Sequence, residues 1–460
     1  MLDDPLALPA HITRWIEDAT GASVERVDRR PGGARKEAWF VDCRGPDGPR
    51  ELFLRYDRSD PERTGDPWTL RREATVCFAL QGTDVLVPTV VAVHPTEQAM
   101  LSERVTGQNW FSWIRDPEEQ LSVARDFMQR LAALHRLDPD ALDLPGFPTT
   151  RSVPELVERE LEEWERVIEF RGGDPDPGLR ISLDWLRANV PDYEGPPVLV
   201  QGDTGPGNFM YRDGTVVAVV DWELAHLGDP MDDVAWLSLR AVQEPFTHLP
   251  DRLAEYAEAS GNAIDEPRVH YYRVMAETKL LVMSHAPGGV RRARTGAGGG
   301  DVGNGLIYGV LHRRLWLEAL GEAMGLEDQH AETPPPHIPT EADWLFDNVL
   351  GQLRDVVVPR VDDPLALQRT KGVARILKYL AEIQRFGGFY AERELDDIAA
   401  LGQRPADVEA GRAAMAAAVD AGTVDDVEYL RYLWRRVARD NELLRPASGV
   451  MADRHWPPLH

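Results

Sequence analysis

Asp203, Asn208 and Asp221 lie in the run VLVQGDTGPGNFMYRDGTVVAVVDWELAHLGDPMDDVAW, residues 198–236, at a spacing that suits phosphoryl transfer. Two apolar runs, Pro197–Val200 and Val216–Val220, each end on a polar, carboxylate-bearing segment. Buried strands deliver charged side chains to the rim of a cleft in this way. The first segment offers the Asp203 carboxylate, then flexible glycines, then the Asn208 amide five residues on. The second, Asp221-Trp222-Glu223, follows a hairpin whose turn is Arg212-Asp213-Gly214. Phosphoryl transfer from ATP requires a carboxylate that orients the acceptor hydroxyl. It also requires an Asn and a second Asp that hold Mg2+ against the phosphates. Glu223 reads either as an acid approaching that metal or as a solvent-facing side chain, and solvent is the simpler choice.

Each of these residues has a plainer reading alone, because an Asp or Asn after a strand is commonly a turn or a cap. Asp229 and Asp232 read that way, as caps of a helix that begins near Val234. The ordered combination is far more specific. It resembles the catalytic and metal-binding loops of the aminoglycoside phosphotransferase-like kinases, small-molecule relatives of the protein kinases. That family's pattern is His-Gly-Asp, four residues, Asn, a strand into Asp, then Gly-Asp-Pro and Asp-hydrophobic-Ala. This chain has Gln201-Gly202-Asp203, Asn208, Asp221, Gly228-Asp229-Pro230 and Asp233-Val234-Ala235. The resemblance implies that Asp203 is the catalytic base or hydroxyl-orienting residue and that Asn208 and Asp221 are the magnesium ligands. It implies that Asp233 is a structural aspartate tying down the catalytic loop. Gln201 stands where His is usual, a departure that bears on loop geometry and not on the proton or metal chemistry.

The same resemblance implies an α+β, bilobal protein-kinase-like fold, with an N-lobe of antiparallel sheet plus helix and a mainly helical C-lobe. An N-lobe must cover the phosphates, and residues 24–105 read as one. Strand candidates Val24–Arg29 and Ala38–Asp42 flank Pro31-Gly32-Gly33-Ala34-Arg35-Lys36. Gly32 and Gly33 there would let backbone amides approach a phosphate, although Gly-Gly is also a common hairpin turn. Leu52-Phe53-Leu54-Arg55 is a short strand ending on a cation. The family uses Lys or Arg at this position to grip the nucleotide phosphates, so Arg55 is the candidate, with a bidentate head in place of the commoner Lys. Glu73, on the helical period Thr69–Leu80, resembles the helix glutamate that pairs with that cation. Val85–Val93 and Met100–Val105 read as two further strands. Leu101–Gly107 resembles the hinge between lobes, where main-chain groups of about Glu103 to Val105 would read the purine edge. Backbone recognition leaves ATP against GTP open. His135 ends an amphipathic helix over 121–136 and reads as a packed core histidine.

Composition narrows the rest. A formal net charge of -26 argues against nucleic acid and against an anionic membrane surface. No run of 18 apolar residues occurs, and the first residues lack the basic region and apolar core of a signal peptide. Cys43 and Cys77, without a CxxC pattern, fit a reducing cytoplasm, and two cysteines exclude a structural zinc of the common kind. Prolines cluster at Pro334-Pro335-Pro336 and Pro339, marking a stiff linker. The expected plan is an N-lobe over 1–105, a C-lobe over 106–330, a linker over 331–340 and an all-α C-terminal domain over 341–460. The tail keeps an apolar stripe at Trp344-Leu345, Val349, Leu353 and Val356-Val357, followed by helices at about 364–385, 390–401, 405–421 and 424–442. It shows no glycine-rich loop and no clustered metal ligands and reads as structural, oligomeric or docking, with a homo-oligomer through this domain as one outcome.

The acceptor is the least legible part. Arg291, Arg292 and Arg294 stand in a glycine-rich stretch after a helix over 269–284, and read either as an anion-binding loop or as a solvated one. The resemblance is strongest to the branch associated with acyl-CoA dehydrogenases, which implies a small-molecule hydroxyl substrate such as a hydroxyacyl-CoA. An aminoglycoside or macrolide acceptor is the alternative, and the acidic helix over 154–170 would suit the polycationic aminoglycoside. A degraded, nucleotide-binding scaffold is the reading of another class, with Gln201 and Arg55 as its signs.

Overall fold

Trp39, Val41 and Cys43 fall at every second position of one run, and Leu52, Leu54 and Tyr56 do the same in the next. A period of two lines one face of a sheet. All six are buried in the computed structural model, which describes residues 7–31, 36–59, 67–170, 176–284 and 301–460. Helix α1 (Ala10–Thr20) closes that face with Ile12 and Ile16. Strands β1 (Ser23–Arg30), β2 (Glu37–Gly45) and β3 (Gly48–Asp57) follow, then helix α2 (Leu70–Leu80) and strands β4 (Val90–Val93) and β5 (Gln98–Glu103). The five strands form one antiparallel sheet in the order β1-β2-β3-β5-β4. Ala38 pairs with Arg55 across β2 and β3, so the face opposite the apolar core carries Arg55. The strand expected over 85–93 is shorter than its apolar run. Leu86 adopts a left-handed backbone (φ 62°) and its carbonyl accepts from Val219 N at 2.8 Å, so pairing begins only at Val90.

The chain then becomes mainly helical. Helices α3 (Pro117–His135), α4 (Val153–Phe170) and α5 (Pro177–Ala188) precede strands β6 (Val198–Val200), β7 (Phe209–Arg212), β8 (Thr215–Val219) and β9 (His226–Gly228). Helices α6 (Pro230–Gln243), α7 (Leu249–Ser260) and α8 (Glu266–Ser284) complete this part. Asp116 caps α3 and Asp229 caps α6, each accepting from a backbone N–H of the first turn. Strand β6 pairs with β9, and β7 with β8. Asp213 and Gly214 both have positive φ (52° and 75°), as a two-residue type I′ hairpin turn requires. Phe111, Phe127, Phe209 and Phe246 form the aromatic floor under that hairpin, with the Phe127 and Phe209 rings stacked at 4.4 Å.

The remaining helices are α9 (Val302–Met324), α10 (Glu341–Gln352), α11 (Pro364–Ala400), α12 (Val408–Asp420) and α13 (Asp426–Ser448). The α+β expectation, with an added all-helical part, holds. One detail differs: α11 runs unbroken for 37 residues where two helices were expected. Gly387 and Gly388 lie inside it, and two glycines cost a helix only about 1 kcal/mol each, too little to break so long a run. Residues 331–340 form no regular element, and the helix after them starts on a capping box between Thr340 and Asp343. No described helix is long and apolar enough to cross a membrane.

Internal contacts divide the chain into two compact units. One comprises Met1–Arg171, Val190–Ala276 and His455–His460, and the other Gly172–Asn189 and Glu277–Arg454. The second unit therefore takes in α5, α9 and the proline-rich segment together with α10 to α13. The apolar stripe on α10 and just beyond it stays largely exposed at Trp344, Leu345, Val349, Val356 and Val357. Within this unit α9 approaches its neighbours at glycines. A Cβ on Gly303 would fall 2.2 Å from the Gly372 carbonyl oxygen, and one on Gly321 would fall 2.2 Å from the Trp434 ring. Backbone against backbone cannot yield as a side-chain tip can. Gly303→Ala is therefore expected to destabilise this unit by about 1–3 kcal/mol, seen by calorimetry as a lower melting transition.

Candidate active site

The site is built on a buried carboxylate. Asp233, in the first turn of α6, is fully buried. Its Oδ2 accepts from Gln201 N at 2.9 Å, and its Oδ1 accepts from Gly202 N at 2.9 Å and from the Thr204 hydroxyl. His135 Nε2 lies 3.0 Å from Oδ2, while His135 Nδ1 lies 2.6 Å from the Tyr256 hydroxyl. His135 is thus a core residue held between two partners, as its sequence context suggested. Burial pushes the Asp233 carboxyl up, but His135, Thr204 and the Gly202 amide more than offset this and hold it below the usual carboxylate range. Gly202 itself has φ 81°, and a Cβ there would meet the Leu224 carbonyl oxygen at 2.5 Å. Only glycine fits that turn.

The loop so held presents Asp203. Its Oδ1 accepts from Arg240 Nε at 2.7 Å, and its Oδ2 accepts from Arg240 Nη2 and, at 2.7 Å, from Asn208 Nδ2. The sequence reading did not include Arg240. The available signal was helical spacing, since Arg240 follows Asp233 by seven residues, two turns along the same face of α6. Burial raises the Asp203 carboxyl above its ordinary range, against the lowering effect of Arg240 and Asn208. A carboxylate so raised is a better proton acceptor.

The hairpin brings the second pair together. Phe209 pairs with Val219, and Val220 N donates to the Asn208 carbonyl at 2.9 Å, so Asn208 and Asp221 sit at adjacent strand ends. The Asn208 side-chain NH2 is committed to the Asp203 carbonyl and carboxylate, both at 2.7 Å, which leaves the amide oxygen for a cation. Asp221 adopts φ 64°, unusual for a residue with a side chain, at the end of β8. Gln201 Nε2 donates to the carbonyls of Val220 and Asp221 at 2.8 and 3.3 Å, linking the two loops. An amide and a carboxylate offer hard oxygen ligands, the donor chemistry that suits magnesium.

From the sheet above, Arg55 Nη1 donates to Glu73 Oε1 at 2.7 Å and to Asp221 Oδ1 at 3.0 Å. Burial raises the Asp221 carboxyl, but Arg55 and Lys36 outweigh it and hold it below the usual range. Glu223 is not a free solvent-facing acid, for it pairs with Lys36, which is buried. Lys36 is the second residue that the sequence reading left without a role. Of the residues expected to form a hinge, Glu103 N donates to the Thr89 carbonyl and its carboxylate pairs with Arg50 at 2.6 Å. Val105, just past β5, lies beyond the strand pairing. Asp229 caps a helix that starts at Pro230, earlier than expected, and Arg268 Nη1 donates to its carboxylate at 2.9 Å. Asp232 does not cap. Its Oδ2 faces His226 Nε2 at 3.0 Å, and with Glu160 these atoms lie within 4.8 Å of one another. Gly32 and Gly33, and Arg291, Arg292 and Arg294, lie outside the described residues.

Removing Asp233 would strand its donors in a dry interior. Asp233→Ala is expected to cost about 3 kcal/mol or more at neutral pH, read as a lower denaturation midpoint. Because the folded carboxyl titrates below its unfolded value, its contribution is full above about pH 4 and fades as pH falls through the folded value. The gap between wild type and variant should therefore narrow in acid.

Comparison with known proteins bears on what this assembly is. The chain is 30% identical over 125 residues to acyl-CoA dehydrogenase family member 11 of Rattus norvegicus, covering 27% of this chain and 16% of that protein. It is 27% identical over 126 residues to acyl-CoA dehydrogenase family member 10 of Mus musculus, covering 27% of this chain and 11% of that protein. The matches thus span less than a fifth of these curated relatives. Among solved structures, macrolide 2′-phosphotransferase MphH from Brachybacterium faecium is similar at 20% identity and a TM-score of 0.43, over 62% of this chain and 95% of that one. Aminoglycoside phosphotransferase APH(4)-Ia, in complex with ADP and hygromycin B, is similar at 18% identity and a TM-score of 0.45, over 60% of this chain and 91% of that one. The model of the phosphotransferase enzyme family matches residues 27–272, from β1 through the site loops into α8 and over more than half of the chain. The chain belongs to the phosphotransferase enzyme family.

Proposed function

We propose that this chain is a magnesium- and ATP-dependent small-molecule kinase that phosphorylates an alcohol hydroxyl, with a hydroxyacyl-CoA thioester or a related hydroxy acid as acceptor. The observation that carries the reading is the convergence on Asp221. Arg55, held by Glu73 of α2, reaches it from the sheet, and Asn208 stands beside it across the hairpin, one hydrogen bond from Asp203. In this reading Arg55 grips the nucleotide phosphates while Glu73 holds its guanidinium in place, and backbone near Val105 meets the base. Asn208 and Asp221 would hold the magnesium ion, which when bound neutralises charge on the phosphates. Asp203 orients the acceptor hydroxyl and takes its proton as the hydroxyl oxygen bonds to the γ-phosphorus and the β–γ bridge breaks. Arg240 fixes the Asp203 carboxylate by two contacts, so little reorganisation is needed at the moment of transfer.

Support for a hydroxyacyl acceptor comes from the matched relatives, which are named as acyl-CoA dehydrogenase family members. A second reading, a polycationic antibiotic acceptor, draws on the acid-rich helix α4. Magnesium-dependent ADP release from ATP separates them, with hydroxyacyl-CoA thioesters and their free acids in one arm and aminoglycosides and macrolides in the other. Turnover in the first arm alone is the expected result. Turnover in the second alone would make the chain an antibiotic kinase, and nucleotide binding without turnover in either would favour a scaffold.

Asp203→Ala is expected to leave nucleotide affinity nearly intact and to lower turnover by about a hundredfold or more. Asp221→Ala is expected to weaken binding of magnesium nucleotide itself, measured by titration calorimetry. Full turnover by the Asp203 variant would remove that residue from the reaction.

A further inference from the structure

We propose that Lys36 is a second phosphate-binding cation of the nucleotide site, working beside Arg55, and that Glu223 seats it. The inference rests on the kinase reading above and extends it to two residues to which that reading gives no part.

Strand register accounts for the position of Lys36. Ala38 is paired with Arg55 and Glu37 with Tyr56, so one step further Lys36 falls opposite Asp57. Directly opposed residues of an antiparallel pair point to the same side. Lys36 and Ala38 therefore share the face of the sheet that carries Arg55, away from the apolar core of Trp39, Leu54 and Tyr56. From there the Lys36 ammonium pairs with Glu223 and comes within 3.8 Å of Glu73 Oε2. Glu73 thus serves two cations, Arg55 on Oε1 and Lys36 toward Oε2.

A plain structural ion pair explains this poorly. Lys36 is only 6% exposed, and burying an ammonium costs more than an ion pair usually returns. Glu73 Oε2 is buried and has no hydrogen-bond partner among the described residues, so the arrangement is not optimised as a salt bridge. Arg55, meanwhile, divides one Nη1 between Glu73 and Asp221, which spends much of its charge on neighbouring acids. A nucleoside triphosphate brings several negative charges into the same place. Three carboxylates, Glu73, Asp221 and Glu223, already stand there, and Arg55 alone leaves the surroundings strongly anionic. Lys36 supplies the missing charge on a compact head with three donors. Two carboxylates hold it at the height of the sheet face from which Arg55 also reaches.

Direct binding to the full-length protein tests this without reference to turnover. Titration calorimetry with MgATP, MgADP and adenosine compares wild type, Lys36→Met and Lys36→Arg. The expected result for Lys36→Met is a loss of about tenfold or more for both phosphorylated ligands, with adenosine little changed. Lys36→Arg should recover most of it. Equal affinity of wild type and Lys36→Met for MgATP would overturn the proposal, as would an equal loss across adenosine and ATP, which marks a merely structural role. If Lys36→Met does not fold, Lys36→Gln, which keeps a polar end between the two acids, carries the same comparison. A wild type that binds no nucleotide would sink the kinase reading itself and this inference with it. A wild type that binds MgATP with an indifferent Lys36 would sink the inference alone.

Discussion

Everything at the site hangs on the buried Asp233 carboxylate. It is fully buried, so its charge must be met by donors from the protein, and the donors it finds belong to the loop that follows β6. Gln201, Gly202 and Thr204 are drawn onto it from one side and His135, at the end of α3, from another. A loop held by two backbone amides and a hydroxyl on one carboxylate cannot drift far. Asp203 is the residue between two of those anchors, and its direction follows from theirs.

A second constraint is the balance of charge above that loop. Five acidic and basic side chains, Lys36, Arg55, Glu73, Asp221 and Glu223, meet in a largely buried space. At low effective dielectric each pair is worth more than at a surface, and each unpaired charge costs more. The sheet contributes both cations and the loops below contribute Asp221 and Glu223, with Glu73 of α2 shared between the cations. The contacts of Arg55 with Glu73 and Asp221 therefore tie the two halves of this unit together at the point where chemistry is proposed. Asp203 stands apart from this group with its own cation, Arg240, so that the acid proposed to meet the acceptor and the acids proposed to meet the metal have separate partners.

Several of these features were readable from residue order, and others were not, for definite reasons. The hairpin between β7 and β8 was legible because Asp213-Gly214 has few alternatives where two positive φ values are needed. The pairing of Arg55 with Glu73 was legible through the resemblance to a known family. Arg240 and Lys36 were missed because their relation to the site passes through geometry: two turns of helix for one, a strand register for the other. Glu223 was read toward solvent because its partner lies 187 residues earlier in the chain, beyond any local pattern. The strand expected from Val85 failed on a single left-handed residue, Leu86. Two helices were expected over about 364–385 and 390–401, but α11 runs unbroken through Gly387-Gly388, since local propensity is weak against a run of that length.

By itself, the sequence determined the class of the chain and the order of its parts. The spacing of Asp203, Asn208 and Asp221, the alternation in β2 and β3, and the helical tail are all local or near-local patterns, and periodicity and turn chemistry act over a few residues. The tertiary structure alone decided which charges neutralise which: Asp203 with Arg240, Glu223 with Lys36, Asp233 with His135 and three groups of one loop. It also decided that α9 belongs with the tail in one compact unit. The physical reason is the same in each case. A buried charge must be paired, and its partner is whichever opposite group the packed backbone brings within reach, however far away in sequence.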